Sequence, residues 1–150
     1  MIIVLQRVSE ASVNINNSVH SSIDKGFVAL VGFQPGDNDE DLDLMVRKIT
    51  RIRIFDDENG ALNHSISDIN GDILLVPNFT LAADTSRGNR PGFSTAMSPD
   101  IAKPLFEKFV DDVSSVYPNV ASGVFGADMK VSLVNDGPIT ISLASKKYML

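Results

Sequence analysis

Chemistry in this chain must come from few side chains. Only His20 and His64 supply an imidazole, and each stands beside a serine, Ser21 and Ser65. Adjacency in sequence does not make a triad, which is set by geometry in the folded chain, so both histidines read as surface or turn residues. Cysteine is absent, which removes disulfides, thiol nucleophiles and thiolate metal sites together. Two imidazoles are too few for a multi-histidine centre, and neither a metal nor a cofactor is expected. There is no G-x-S-x-G elbow, Walker-type phosphate loop or dinucleotide fingerprint. The carboxylates of 37–43 and 56–58 fit a helix N-terminus and a turn rather than a paired acid/base site. Two segments are left: Val76-Pro77-Asn78-Phe79-Thr80-Leu81, where an apolar run ends in polar groups, and Asn135-Asp136-Gly137-Pro138-Ile139-Thr140. Taken singly, the first is an ordinary strand end and the second a tight hairpin turn.

The elements that must carry these segments follow from periodicity. Ile3, Leu5 and Arg7 alternate with Val4, Gln6 and Val8, and Ser12–Ile15 alternates again. Asn16-Asn17 is a turn into a returning strand over Val19–Ile23, and Phe27–Val31 is a continuous apolar run suited to a buried strand. Asp39–Ile52 switches to helical spacing through Leu42, Met45, Val46 and Ile49, with acids in its first turn and Arg47, Lys48 and Arg51 toward its end. Strands are expected near Ile52–Phe55 and Asp72–Phe79. A second helix covers Asp100–Val116 with Ile101, Leu105, Phe109 and Val113 on one stripe, Pro104 being tolerable only in the first turn. Two further strands, near Met129–Val134 and Ile139–Leu143, are joined across Asn135–Pro138. The order is that of a mixed α and β (α/β) single domain, residues 1–150, with helices packed on one face of mixed β-sheet.

Composition limits the partners. The 150 residues are 43% hydrophobic with a mean hydropathy of +0.07, enough for a core without disulfides or metal. No apolar run approaches the roughly 18 residues of a membrane span. The stretch Met1–Arg7 lacks the basic lead and small-residue cleavage site of a signal peptide, so a soluble cytoplasmic protein is expected. The net charge is −6, and the surplus acid lies in residues 1–75, with 12 Asp+Glu against 6 Lys+Arg. Such a chain is a poor candidate for gripping long nucleic acid through phosphates alone, but it can still read the end of an RNA. Between Thr85 and Ser98 there is no acid and there are two arginines, Arg87 and Arg90. By itself that stretch is a solvated loop, and any RNA affinity through such patches should be modest and salt-sensitive.

Four segments in order carry a resemblance. They are Gln6-Arg7-Val8-Ser9-Glu10-Ala11-Ser12-Val13, Gly88-Asn89-Arg90-Pro91-Gly92-Phe93-Ser94, Gly123-Val124-Phe125-Gly126-Ala127-Asp128-Met129 and Val131–Thr140 with its Asn135-Asp136-Gly137-Pro138. With them the chain resembles the D-aminoacyl-tRNA deacylases nearly end to end. The resemblance implies a homodimer in which a cis Gly137-Pro138 pair reaches into the partner's active site. There its carbonyls would bar an L side chain and pass a D side chain or none. It implies that Arg7 holds that loop, and that Asn135, Phe125 and Met129 line the substrate site with Gly137 and Pro138. It implies hydrolysis of the ester at the tRNA 3′ end, with the terminal ribose 2′-hydroxyl helping to activate water. Backbone N–H groups of Asn78, Phe79 and Thr80 would stabilise the oxyanion. Thr80 has no visible base, so its expected role is positioning rather than attack.

Glycine has no side chain to exclude, so glycyl-tRNA mischarged on tRNA-Ala is an expected second substrate. No DNA and no membrane partner is expected. The family usually has Ser-Gln where this chain has Pro77-Asn78, which bears on rate and substrate range. An alternative is a non-catalytic or relaxed-specificity tRNA 3′-end binding protein of the same fold.

Overall fold

A computed structural model describes residues 1–149. β1 (Ile2–Ile15) is one long strand. It turns through Asn16 and Asn17, both at positive φ, into β2 (Ser18–Ile23), and β3 (Gly26–Gly32) follows. α1 (Asp39–Arg51) opens on a reciprocal cap, in which the Asn38 side chain accepts from Glu40 N–H and Asp41 accepts from Asn38 N–H, each at 3.0 Å. A small hairpin, β4 (Phe55–Asp56) with β5 (Leu62–His64), precedes β6 (Asp72–Pro77) and a 3-10 turn, Phe79–Ala82. Then come α2 (Pro99–Val116), β7 (Val120–Ser122), β8 (Lys130–Ala144) and a final 3-10 turn, Ser145–Tyr148.

The main sheet runs β2-β1-β3-β6-β7, with β8 on β1 as well. β3–β6 and β6–β7 are parallel, and the other pairs are antiparallel. β3 pairs with the first half of β1 and β2 with its second half, while β8 pairs along nearly all of it. The sheet curls until the Ser21 hydroxyl of β2 donates to the Ser122 carbonyl of β7 at 3.1 Å, so the domain is mixed α and β with a nearly closed sheet.

Two apolar clusters result. Ile3, Leu5, Phe27, Ala29, Ile73 and Leu75 face the helices, against Leu42, Met45, Ile49, Phe106 and Phe109. Val8, Val13, Val28, Leu74 and Val76 point to the other face, into the curl. Burial on both faces explains why β3 and β6 read as unbroken apolar runs. The register of β1 shifts between Gln6 and Val8 and again between Val8 and Glu10. Ile3 and Leu5 therefore serve one cluster, while Ala11 and Val13, of the same parity, serve the other.

Three expectations are corrected. β8 is a single strand and not a hairpin: Gln6 pairs with Thr140 and Val8 with Asn135, so 136–139 bulge out opposite Arg7. The buried stripe of α2 is Ala102, Phe106, Phe109 and Val113, one residue round from the expected one at its start, and Ile101 is exposed. Pro104 is the sixth helical residue rather than part of the first turn. It lies on the solvent face, where water can serve the Asp100 carbonyl that its missing N–H leaves without a partner.

Candidate active site

Ligand sites in parallel sheet tend to lie past the carboxyl ends of the strands, and β6 ends at the first singled-out segment. A pocket of about 480 Å³ opens there, lined by Pro77, Phe79, Phe93, Met97, Phe125 and Gly126 among others, none of the lining side chains ionisable. Phe79 and Phe93 meet edge to face with centroids 5.2 Å apart. Phe125 also packs toward Phe106 of α2, at 6.4 Å. Met129 belongs beside this group, because a Cβ on Gly123 would come within 2.6 Å of the Met129 sulfur and 3.4 Å of the Pro77 ring. Gly123 therefore lets Met129 and Pro77 close over the end of β7.

Local backbone explains the rim. Asn78 N–H donates to Val31 O at 2.8 Å, so by strand alternation the nitrogen of Pro77 faces the β7 side. Pairing with β7 has already ended there, at Leu75–Ser122, and proline removes no ladder bond. The same bond corrects an expectation: the Asn78 backbone N–H is engaged and is not an oxyanion donor. Phe79 and Thr80 begin a 3-10 turn, and among the described residues their N–H groups have no backbone acceptor. The Thr80 hydroxyl donates to Asn78 Oδ1 at 2.6 Å, and among the described residues it has no hydrogen bond to an imidazole or carboxylate.

The second segment sits apart from the pocket. Neither Arg7, Asn135, Gly137 nor Pro138 lines it. Arg7, 7% exposed, donates from Nε to the Asp136 carbonyl at 3.0 Å, and from Nη1 to the Ile54 carbonyl at 3.1 Å and Asp56 Oδ1 at 3.0 Å. One guanidinium thus bonds both to the exposed acid Asp56 and to the backbone of the 136–138 loop. Asn135 spans the bulge, accepting from Ile139 N–H at 3.1 Å and donating to Thr140 Oγ1 at 3.0 Å. The Gly137–Pro138 peptide bond is cis, and Asp136, Gly137 and Pro138 are exposed. Gly137 has φ of +132°, and a Cβ there would lie 2.8 Å from Ile139 Cγ1 and 3.3 Å from Arg7 Nη2. Only glycine fits.

Phe93, Met97 and Gly123 were not foreseen as site residues. The first and last lie in the segments that carry the resemblance, which was the available signal. The histidines stay outside the pocket. His64 lies 3.9 Å from Glu58 and 3.7 Å from Asp68, and His20 is exposed on β2. Arg87 and Arg90 sit on an exposed loop closed by the Asp84–Gly92 bridge. Among the described residues there is no cluster of three or more metal-ligating side chains, and no helix is long and apolar enough to cross a membrane.

The fold is found among solved structures. One described as a probable eukaryotic D-amino acid tRNA deacylase superposes with a TM-score of 0.83 over 95% of this chain and 97% of that one. At 18% identity that likeness is one of fold. Another, described as c-Myc DNA unwinding element binding protein, is 37% identical with a TM-score of 0.92, over 96% of this chain and 98% of that one. The sequence profile of the D-Tyr-tRNA(Tyr) deacylase family matches residues 4–144, and the chain belongs to that family. It is accordingly a hydrolase acting on the ester bond of aminoacyl-tRNA.

Proposed function

We propose that the chain hydrolyses D-aminoacyl-tRNA to free amino acid and tRNA as a chirality-based proofreader of translation in the cytoplasm. It also clears glycine mischarged on tRNA-Ala. It works as a homodimer, with Gly137-Pro138 of one protomer entering the pocket of the other. The observation that carries this reading is a division of labour within the chain. The pocket beside Phe79 has at its rim two N–H groups without a partner among the described residues and no ionisable lining, while the exposed loop at 136–138 is fixed by Arg7 and Asn135 yet lies outside that pocket. A rigid projection and a receptive pocket on one chain suit two copies better than one.

In this mechanism the aminoacyl ester lies against Phe79, Phe125 and Met129. Phe79 and Thr80 N–H groups face the carbonyl oxygen where negative charge develops, and the Asn78 side-chain amide supplies a further polar contact. Water attacks the carbonyl carbon, the ribose 2′-hydroxyl assists proton transfer, and the 3′-oxygen leaves. Thr80 orients Asn78 rather than attacking. The backbone carbonyls at Gly137-Pro138 occupy the volume an L side chain would need, and glycine passes because it has none. The net charge of −6 makes the chain a poor candidate for gripping long duplex DNA through phosphates alone, and no DNA partner is part of this reading.

The test is deacylation of matched D-tyrosyl-, L-tyrosyl- and glycyl-tRNA. Release of D-tyrosine and glycine with L-tyrosyl-tRNA spared is expected. Release of all three overturns the chiral filter and points to Pro77-Asn78, and binding without release overturns the catalytic reading.

A further inference from the structure

We propose that the cleft between the carboxyl end of α1 and the end of β8 binds backbone phosphates of RNA, receiving the stem of the tRNA whose 3′ end enters the pocket. This rests on the deacylase reading above. The cleft has a volume of about 440 Å³ and gathers Arg47, Lys48 and Arg51 over an apolar floor that includes Ile52, Leu143 and Tyr148.

The chain carries six more acidic than basic groups, so a surface that attracts a polyanion must be a local one. Several nearby acids are already engaged, Asp37 and Asp41 with Lys146 and Asp39 and Asp112 with Lys108, which leaves exposed Asp43, one turn before Arg47, as the acid of α1 that partly offsets these cations. No ion pair among the described residues involves Arg47, Lys48 or Arg51. The helix dipole favours cations at this end, but it does not require a facing wall. Leu143 and Tyr148 supply one, and the Lys48 ammonium sits 4.3 Å over the Tyr148 ring centroid. That fixes Lys48 and leaves both guanidiniums exposed, four residues or about 6 Å apart along one helix face. Such a pair can contact successive phosphates of one strand, and the apolar floor strengthens each contact.

Position agrees with the substrate. From Ile52 the chain continues to Ile54, whose carbonyl accepts from Arg7, the residue that also holds Asp136. Along β8, Leu143 lies five residues from Pro138, about 17 Å in an extended strand. A tRNA 3′ end is single-stranded before its stem begins. A stem phosphate therefore reaches the cleft when the terminal adenosine lies near the Gly137-Pro138 loop. In the dimer reading, the protomer that lends the loop also holds the stem.

The experiment compares the native protein with the Arg47→Gln/Arg51→Gln double variant, both exposed positions. Affinity for uncharged tRNA is measured across a salt series. Turnover is measured on D-tyrosyl-tRNA and on the D-tyrosyl ester of a CCA trinucleotide. Expected are an approximately tenfold loss of tRNA affinity at low salt and a salt slope shallower by about one to two. kcat/KM on full-length tRNA should fall by a similar factor relative to the trinucleotide. Equal affinity and equal slope in the two proteins overturn the cleft, as does a native protein that binds no tRNA. If the native protein cleaves neither substrate but the variant still binds tRNA more weakly, the cleft stands and the deacylase reading falls.

Discussion

The pocket at the end of β6 and the bulge in β8 are built on opposite principles. Around the pocket the side chains are largely apolar, with three phenylalanines and a methionine, Phe79 is 55% exposed, and the Thr80 hydroxyl bonds within its own turn, to Asn78 Oδ1. Around the bulge one nearly buried guanidinium ties together three chain segments, and an asparagine closes the loop from inside. Apolar walls accept many side chains because they make few directional demands. A hydrogen-bonded loop cannot yield without leaving buried partners unmet. The difference suits the proposed function, in which a site tolerates varied amino acids while refusing one configuration: permissiveness would lie in the pocket and refusal in the bulge.

The largest effect should come from Gly137→Ala. The residue sits at φ +132° and its Cβ would crowd Ile139 and Arg7, so the loop must move. A left-handed non-glycine residue costs about 1–3 kcal/mol, and a fall in kcat/KM for D-aminoacyl-tRNA of about 10- to 100-fold is expected. Steady-state assays check this, and unchanged turnover would break the contrast between the two regions. Arg7→Met comes next. It leaves the carbonyls of Ile54 and Asp136 without their donor, which should cost about 2–4 kcal/mol. Thermal unfolding should then shift down by roughly 5–10 °C, with L-tyrosyl-tRNA beginning to be cleaved as the loop loosens.

The two regions were also unequally legible. Both helices, the buried β3 and the strand into Pro77 followed from periodicity, because one or both faces of each are apolar. The bulge did not. Asn-Asp-Gly-Pro between two apolar runs has the composition of a hairpin turn, and only the full-length pairing of β8 with β1 shows that the strand continues through it. The register shift in β1 was hidden for the same reason, since Arg7 and Val8 look like ordinary alternation. The resemblance named Arg7, Asn135 and Gly137. It could not show that Asn78 N–H is engaged by Val31, nor that Phe93 closes on Phe79, because those contacts join segments far apart in the chain.

A smaller effect is expected from Thr80→Ala, which probes the permissive side. Its hydroxyl bonds only to Asn78 Oδ1, so its loss frees one side chain at an exposed rim. A decrease in kcat of about tenfold or less is expected, against the 10⁴-fold or greater loss typical of a deleted nucleophile. Single-turnover deacylation separates these outcomes. Complete inactivity with tRNA binding intact would assign the threonine a chemical role and move the demanding geometry from the bulge to the pocket.

The smallest effect concerns how β8 is anchored at its far end. Just past Ala144, Ser145 Oγ donates to Asp41 Oδ1 at 2.5 Å and Lys146 Nζ donates to the same carboxylate at 3.0 Å. Burial alone would raise the Asp41 carboxyl. The Ser145 hydroxyl, the Asn38 N–H and Lys146 outweigh it and hold the group at about 2, against 3.8 for the free side chain. Because the folded value is depressed, this contribution is complete above about pH 4 and disappears as pH falls through about 2. Its size is on the order of 1 kcal/mol, since Lys146 is half exposed and screened. Urea midpoints should therefore fall for the native protein between pH 4 and 2, with the gap to Asp41→Asn narrowing over the same interval. If the bulge is held by Arg7 and Asn135 alone, Asp41→Asn at pH 7 lowers the midpoint without changing the ratio of D- to L-tyrosyl-tRNA turnover. A changed ratio would mean that the loop's rigidity is shared along the whole of β8, and that refusal of the L configuration belongs to the strand rather than to its bulge.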